Sequence, residues 1–320
     1  MSTNHIVVTG GAGFIGSHLC RALVDRGDRV SAIDNLSTGH HANLASLTGN
    51  PRFTFRLGDV TSAVTFADLQ EVTHVVHLAC PASPKANTAM PIETIRAATT
   101  GTLNALELAA RTGARVVIVS SSEIYGDPQV HPQHEDYRGN TDPVGPFSAY
   151  TEGKRACEAA AAAHHRQGTN VGVVRPFNVY GPHMWPTDGR VVSSFCAAAL
   201  RGEALRISGG GRQTRSFVYV TDFVAALLAM LDVEEFGPIN IGSDAEVSIA
   251  DLARLVVDLA GSGELEIAPA RDSEVTVRRP EARRAARLLG WQATTPLCEG
   301  IEQSLSWMRE VLDRSEAAVS

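Results

Sequence analysis

Tyr150 and Lys154 stand four residues apart in "YTEGK", at the start of an alanine-rich stretch that reads as a helix, so both side chains share one face. A lysine ammonium beside a phenol favours the phenolate and lowers the tyrosine pKa toward working pH. Such a tyrosine can take a proton from an alcohol while a nicotinamide takes the hydride. Upstream, the apolar run "VVIVS" gives way to Ser121, Ser122 and Glu123, two hydroxyls and a carboxylate where a buried strand runs out. In open α/β sheets that end of a strand is where ligands sit. A surface tyrosine–lysine pair is the bland alternative, and the surrounding elements decide between the two.

Those elements begin with "VTGGAGFIGSHL", in which Gly10, Gly13 and Gly16 follow a strand and open a helix. Such glycines let the backbone turn tightly and approach a pyrophosphate, with the helix N-terminus facing the phosphates. An acid, Asp34 in "AIDNLSTG", closes the second strand. Its carboxylate can accept from both ribose hydroxyls and would repel a 2′-phosphate, which favours NAD over NADP. "GDV" at 58–60 places Asp59 after another strand, where it serves either an adenine or a plain turn.

Strands and helices alternate along the first half. His5–Thr9, Arg29–Ile33, Arg52–Leu57, 74–79, 115–120 and Asn170–Arg175 read as strands; Phe14–Arg26, Ile92–Thr112 and Tyr150–Gln167 read as helices. The alternation predicts an α/β fold, a doubly wound parallel Rossmann sheet. After Pro176 turn residues cluster in "YGPHMWPTDGR" and "SGGGRQTR", followed by helices near 191–201, 221–232, 248–260 and 298–312 and a short strand at 239–243. The expected division is residues 1–176 as the dinucleotide domain, with segments near 217–243 returning to it. Residues 177–320 then form mainly a smaller C-terminal α/β substrate domain.

The totals exclude several classes. A net charge of −7 argues against nucleic acid as the main partner, so an anionic substrate must be met by local arginines. Arg190, Arg215, Arg278 and Arg279 lie in the later half, and Arg215 adjoins the glycine-rich "GGGRQTRSF", where a diphosphate needs such forks. The five cysteines are scattered without paired spacing, which predicts reduced thiols in a cytoplasmic protein. The first strand begins almost at once, leaving no room for a signal peptide, and no apolar run approaches the roughly 20 residues of a membrane span. His40–His41 and His164–His165 read as surface pairs. His74 and His77, three apart on a strand, point to opposite faces, so no metal site is expected.

Taken together, "TGGAGFIG", "DNLSTG", "YTEGK" and "RPFNVYGP" resemble the extended short-chain dehydrogenases/reductases that act on nucleotide sugars. Within them the chain is most similar to the UDP-glucuronate decarboxylases, the UDP-xylose synthases. The stretches that carry this are "HLACPASP" (77–84), "SSSEIYGDPQVHPQHEDYRGN" (120–140), "PFSAYTEGKR" (146–155), "DGRVVSSF" (188–195), "GRQTRSFVYVTD" (211–222) and "RRPEARRAARLLGW" (278–291). Relatives that dehydrate a sugar usually carry Asp–Glu where Ser122–Glu123 stands, the aspartate protonating a leaving hydroxyl. A decarboxylase needs no such acid, because carbon dioxide leaves.

The resemblance implies roles residue by residue. Tyr150 is the base and Lys154 its partner, Ser121 bonds the 4-oxygen, Ser122 and Glu123 assist the ring chemistry, and Arg278 aids proton return at carbon 5. Phe14, Ile15, Asn35, Ser37, Thr38, Gly39, Val60 and Leu78 join Gly10, Gly13, Gly16, Asp34 and Asp59 around NAD. Arg190 and Arg215 hold UDP, and Asn178 the substrate. The chain departs from the decarboxylase pattern in "KANTAMPIETIRAATTGTLN": Glu93 and Arg96 replace two lysines, and Ala97 and Ala98 replace Thr–Asn. Arg96 keeps one positive charge there and Lys85 supplies another. The expected activity is decarboxylation of UDP-glucuronate through a 4-ketone with NAD recycled. The alternatives are a 4-epimerase or other nucleotide-sugar modifier, and a non-catalytic NAD-binding regulator. A homodimer through the long helices is expected.

Overall fold

Short runs rich in apolar and β-branched residues make six strands of the first half: β1 (His5–Thr9), β2 (Arg29–Asp34), β3 (Phe53–Leu57), β4 (His74–His77), β5 (Arg115–Val119) and β6 (Val171–Pro176). In the computed structural model, which describes residues 4–270 and 275–317, these strands and Ile239–Ile241 form one parallel sheet. The order is Ile239–Ile241, β6, β5, β4, β1, β2, β3. The chain winds outward from β1 to β3, then crosses to β4 and winds the other way. The strand order therefore reverses between β1 and β4, which opens a crevice at their C-terminal ends.

Alternate residues of each strand serve opposite faces. Ile6, Val8, Val30, Val76, Val117 and Val174 pack into one core, which continues into Phe195, Ile207, Phe223 and Leu252 of the later half. Val7, Ile33, Val75, Val116, Ile118 and Val173 pack into the other with Leu106, Leu108 and Cys157. Burying each such Val, Leu or Ile contributes about 1.5–3 kcal/mol, which is why these strands read as unbroken apolar runs.

The helices of the first half are α1 (Phe14–Arg26), α2 (Pro84–Ala89), α3 (Pro91–Arg96), α4 (Thr102–Thr112) and α5 (Ser148–Arg166). The helix expected over Ile92–Thr112 runs without a break from Pro91, with a wider π turn at Ala97–Gly101. Thr99 and Thr102 bond back to the carbonyls of Ile95 and Ala98 at 2.7 Å each, side-chain competition of the kind that bends helices. α2 was not expected; Ser83 caps it by accepting from the Ala86 N–H, with Pro84 in the first turn.

Beyond Pro176 the helices Val191–Leu200, Val220–Leu231, Ile249–Ala260 and Leu297–Ala317 stand close to where their spacing put them. Short strands had gone unread: Ala204–Ser208 beside Glu264–Ala268, Val179–Tyr180 beside Val218–Tyr219, and Thr214–Ser216 between Glu246–Ser248 and Val277–Arg278. Those of two or three residues carry too little periodicity to be told from loops.

Candidate active site

A cleft of about 960 Å³ runs across the C-terminal ends of the strands and collects residues from Gly10 to Arg278. Its dinucleotide half begins at the turn after β1. Gly10 has φ +73°, a left-handed conformation that glycine adopts without cost. A Cβ at Gly16 would overlap the Gly10 carbonyl oxygen, so only glycine lets α1 start this close to β1. Phe14, Ile15 and Gly13 line the cleft at the α1 N-terminus.

Asp34, at the end of β2, accepts the Ala12 N–H at 3.0 Å on one oxygen and the Leu36 N–H at 2.8 Å on the other. Each oxygen keeps lone-pair capacity for a ribose hydroxyl. Burial pushes this carboxyl above its ordinary range, and the backbone donors work against that shift. Asn35, Ser37, Thr38, Asp59, Val60 and Leu78 line the same half. Gly39 does not: it lies behind Asp34, where a Cβ would stand 2.9 Å from both carboxylate oxygens. Asp59 accepts from Thr61 and Asn35, and these bonds outweigh its burial and lower its pKa.

The other half holds Tyr150, Lys154 and the Ser121–Glu123 stretch. α5 presents Tyr150 and Lys154, both nearly fully buried, and the Lys154 nitrogen lies 5.9 Å from the centre of the Tyr150 ring. Lys154 also donates to the Val119 carbonyl at 2.8 Å, which ties α5 to the end of β5. Burial raises the Tyr150 pKa, while Lys154, Ser121 and Arg190 pull it down. The expected lowering by lysine is therefore present but is outweighed, because desolvation penalises the phenolate more than one neighbouring ammonium rewards it.

Ser121 opens the turn Ser122–Tyr125 and accepts the Glu123 N–H at 3.1 Å. Arg278, brought in by its pairing with the Thr214–Ser216 strand, is 2% exposed and forms an ion pair with Glu123. A second Arg278 nitrogen donates to the Gly126 carbonyl at 2.9 Å. Glu123 and Arg278, 155 residues apart in sequence, thus form one charged pair beside Ser121 and Tyr150.

The expected substrate residues all line the cleft, each with particulars the sequence could not give. Lys85 and Arg96 are exposed at its rim, on α2 and at the end of α3. Asn178, at φ +27°, donates to the Ser216 carbonyl at 2.9 Å. Arg190 pairs with Asp188 at 3.1 Å. Arg215 donates to the Thr214 and Val275 carbonyls at 2.8 Å each. Arg279 lies outside the cleft, 3.9 Å from Glu246.

His40 corrects the surface reading of the His40–His41 pair, since it is half-buried, lines the cleft and stacks on Trp185 at 4.0 Å. Cys80, Asn87, Phe147, His183 and Trp185 line it too and had not been singled out. Cys80 lies within "HLACPASP", while His183 and Trp185 lie within "YGPHMWPTDGR", whose only local signal is its turn residues. Among the described residues no group of three His, Cys, Asp or Glu could hold a metal ion.

A family model described as NAD dependent epimerase/dehydratase family matches residues 6–242. The chain is 43% identical over 310 residues to UDP-glucuronic acid decarboxylase 1 of Xenopus tropicalis, covering 96% of this chain and 73% of that protein. It is 45% identical over 303 residues to UDP-glucuronic acid decarboxylase 6 of Arabidopsis thaliana, covering 94% and 87%. Among solved structures, UDP-glucose 4-epimerase of Thermotoga maritima with UDP-glucose superimposes with a TM-score of 0.89 at 30% identity, over 96% of this chain and 99% of that one. MoeE5 in complex with UDP-glucuronic acid and NAD gives 0.81 at 31% identity, over 96% and 100%.

Proposed function

The chain belongs to the NAD-dependent epimerase/dehydratase family, and from that premise we propose that it is a UDP-glucuronate decarboxylase, a carboxy-lyase that forms UDP-xylose. The observation that carries the reading is the Glu123–Arg278 ion pair beside Ser121, Ser122 and Tyr150 in one cleft. In this reading the charged pair, with no acid at position 122, serves a reaction whose leaving group needs no protonation. The decarboxylases at 43–45% identity over more than nine-tenths of the chain support it further.

The residues present fit NAD: the space left by Gly10 and Gly16 suits a pyrophosphate, and Asp34 suits an unphosphorylated ribose. Bound there, NAD supplies reversible hydride exchange with carbon 4 of the sugar. Tyr150 takes the proton of the 4-hydroxyl, and Lys154 holds the resulting charge in check. The carboxylate at carbon 5 is then β to a ketone, so the carbon–carbon bond breaks, carbon dioxide leaves and the electron pair passes to the 4-oxygen. Donors from Ser121 and Tyr150 stabilise that enolate. A proton from solvent returns to carbon 5 on the side of Glu123 and Arg278, and Tyr150 gives its proton back to the 4-oxygen when the exchange at carbon 4 runs in reverse.

Lys85, Arg96, Asn178, Arg190 and Arg215 hold the UDP-sugar in this reading. Residues 1–176 form the NAD-binding domain, with segments near 217–243 returning to it. Residues 177–320 mainly form the UDP-sugar domain. The scattered cysteines support a cytoplasmic setting, and Ile92, Ile95 and Leu103, exposed along the 91–112 segment, support pairing of two copies through the long helices.

A 4-epimerase is the second reading, favoured by the likeness to the Thermotoga maritima epimerase and by Glu93 at the rim where the decarboxylase pattern has a lysine. Incubation with UDP-glucuronate separates the two. Decarboxylation yields gas and UDP-xylose without added NADH, with one deuterium at carbon 5 in heavy water. Recovery of UDP-galacturonate without gas would make the protein an epimerase.

A further inference from the structure

Residues Pro182–Trp185 come from the later half of the chain, yet they are fastened on both sides of the glycine-rich turn of the first. On the α1 side, His183 Nδ1 and the Ser17 hydroxyl share a hydrogen bond of 2.8 Å, and His18 Nε2 donates to the Pro182 carbonyl at 2.9 Å. On the β2 side, the Trp185 indole stacks on His40 at 4.0 Å and donates to Asn43 Oδ1 at 3.1 Å. His40 and Asn43 in turn hold the turn itself. The His40 N–H and the Asn43 amide both donate to the Ala12 carbonyl, at 3.0 and 2.9 Å. Trp307 backs the segment, edge-on to Trp185 at 5.9 Å and 5.6 Å from the His183 ring.

The segment faces inward. His183, Met184 and Trp185 line the same cleft as Gly10, Gly13 and Ile15. His183 holds φ +68°, a conformation that costs a non-glycine residue free energy and persists only where surrounding contacts fix it. Burial pushes the His183 ring down to about 4, so it stays neutral and its bond with Ser17 does not depend on charge. A dinucleotide whose pyrophosphate meets the α1 N-terminus would have residues 182–185 bridging from one wall of its groove to the other.

We propose that residues 182–185 are a clasp over the bound dinucleotide, and that NAD leaves only when the His40–Trp185 stack parts. The chemistry gives the clasp its use. Where one turnover both removes and returns the hydride, a cofactor lost midway would strand the sugar as a ketone. The inference rests on the NAD site alone and holds whichever nucleotide sugar is the substrate.

The test follows cofactor release without substrate. Purified holoprotein is diluted into excess isotope-labelled NAD and the exchange of bound NAD is timed. Trp185→Ala removes one aromatic stack and one hydrogen bond, so exchange should quicken by about 10- to 100-fold, while Trp185→Phe, which keeps a ring to stack, should fall between. His40→Ala opens the same stack from the other side and should also quicken exchange, which covers the case in which Trp185→Ala fails to fold. Exchange at the native rate in folded Trp185→Ala, or in His40→Ala, would overturn the proposal. Because no sugar is present, an error in the substrate assignment leaves the result untouched.

Discussion

In the proposed reaction Tyr150 gives up its proton inside a wall of protein, and its surroundings pull in two directions. Burial raises its pKa, and Lys154 is the first of the groups that lower it. Removing that ammonium therefore moves the Tyr150 pKa further up. Lys154→Met should shift the rising limb of the kcat/KM profile to higher pH as well as slow the reaction; a slowed enzyme with an unmoved limb would mean that Lys154 does not tune the tyrosine. Tyr150→Phe keeps the ring and loses the proton acceptor, so turnover should fall by roughly 100-fold or more with the fold unchanged by circular dichroism. Asp34 makes a separate claim. A buried carboxylate facing a ribose can accept from two hydroxyls and repels a phosphate dianion. Titration calorimetry should find NAD bound far more tightly than NADP, and equal affinities would refute the role given to Asp34.

At the scale of elements, the base and the serines are held in register by a double tether between α5 and β5. Lys154 bonds the Val119 carbonyl, and one turn later Glu158 accepts the Ser120 hydroxyl at 2.6 Å. Arg175 on β6 then grips both oxygens of Glu158, at 2.9 and 2.7 Å, and reaches the Tyr125 hydroxyl at 2.8 Å. The Arg175–Glu158 pair is largely buried, with side chains 8% and 17% exposed. Breaking such a pair from one side leaves an uncompensated charge and costs about 3–5 kcal/mol. Arg175→Leu should lower the denaturant midpoint accordingly, and a loss under about 1 kcal/mol, the range of surface pairs, would show that water already screens the pair. Gly153 completes the fit: a Cβ there would come within 2.9 Å of the Ala98 Cβ, so glycine sets how closely α5 packs on the π turn.

At the scale of the whole molecule, the site exists only because distant segments converge. The dinucleotide groove comes from the first three strands, the redox pair from α5, and Arg278 from a two-residue strand near the far end of the described chain. Three exposed apolar side chains, Ile92, Ile95 and Leu103, lie along the segment that begins at α3, and the dimer proposed above would cover them. Sedimentation should find a dimer, and Leu103→Glu should shift it toward monomer. A monomeric native protein would remove the dimer and leave the chemistry intact.

The parts whose physics is local can be read from residue types and their spacing. β-branched runs and helical spacing are each set within a dozen residues, so the Rossmann sheet and the shared helix of Tyr150 and Lys154 were legible from the residues alone. The resemblance implied the roles proposed for Ser121, Ser122 and Glu123. Tertiary structure alone decided what depends on residues far apart. It set the balance of burial against charge at Tyr150, because desolvation is the sum over every neighbour. It paired Arg278 with Glu123, because a two-residue strand leaves no periodic trace. It drew His40 and Trp185 together across 145 positions, because stacking is chosen by the packing of two loops and by nothing in either loop alone.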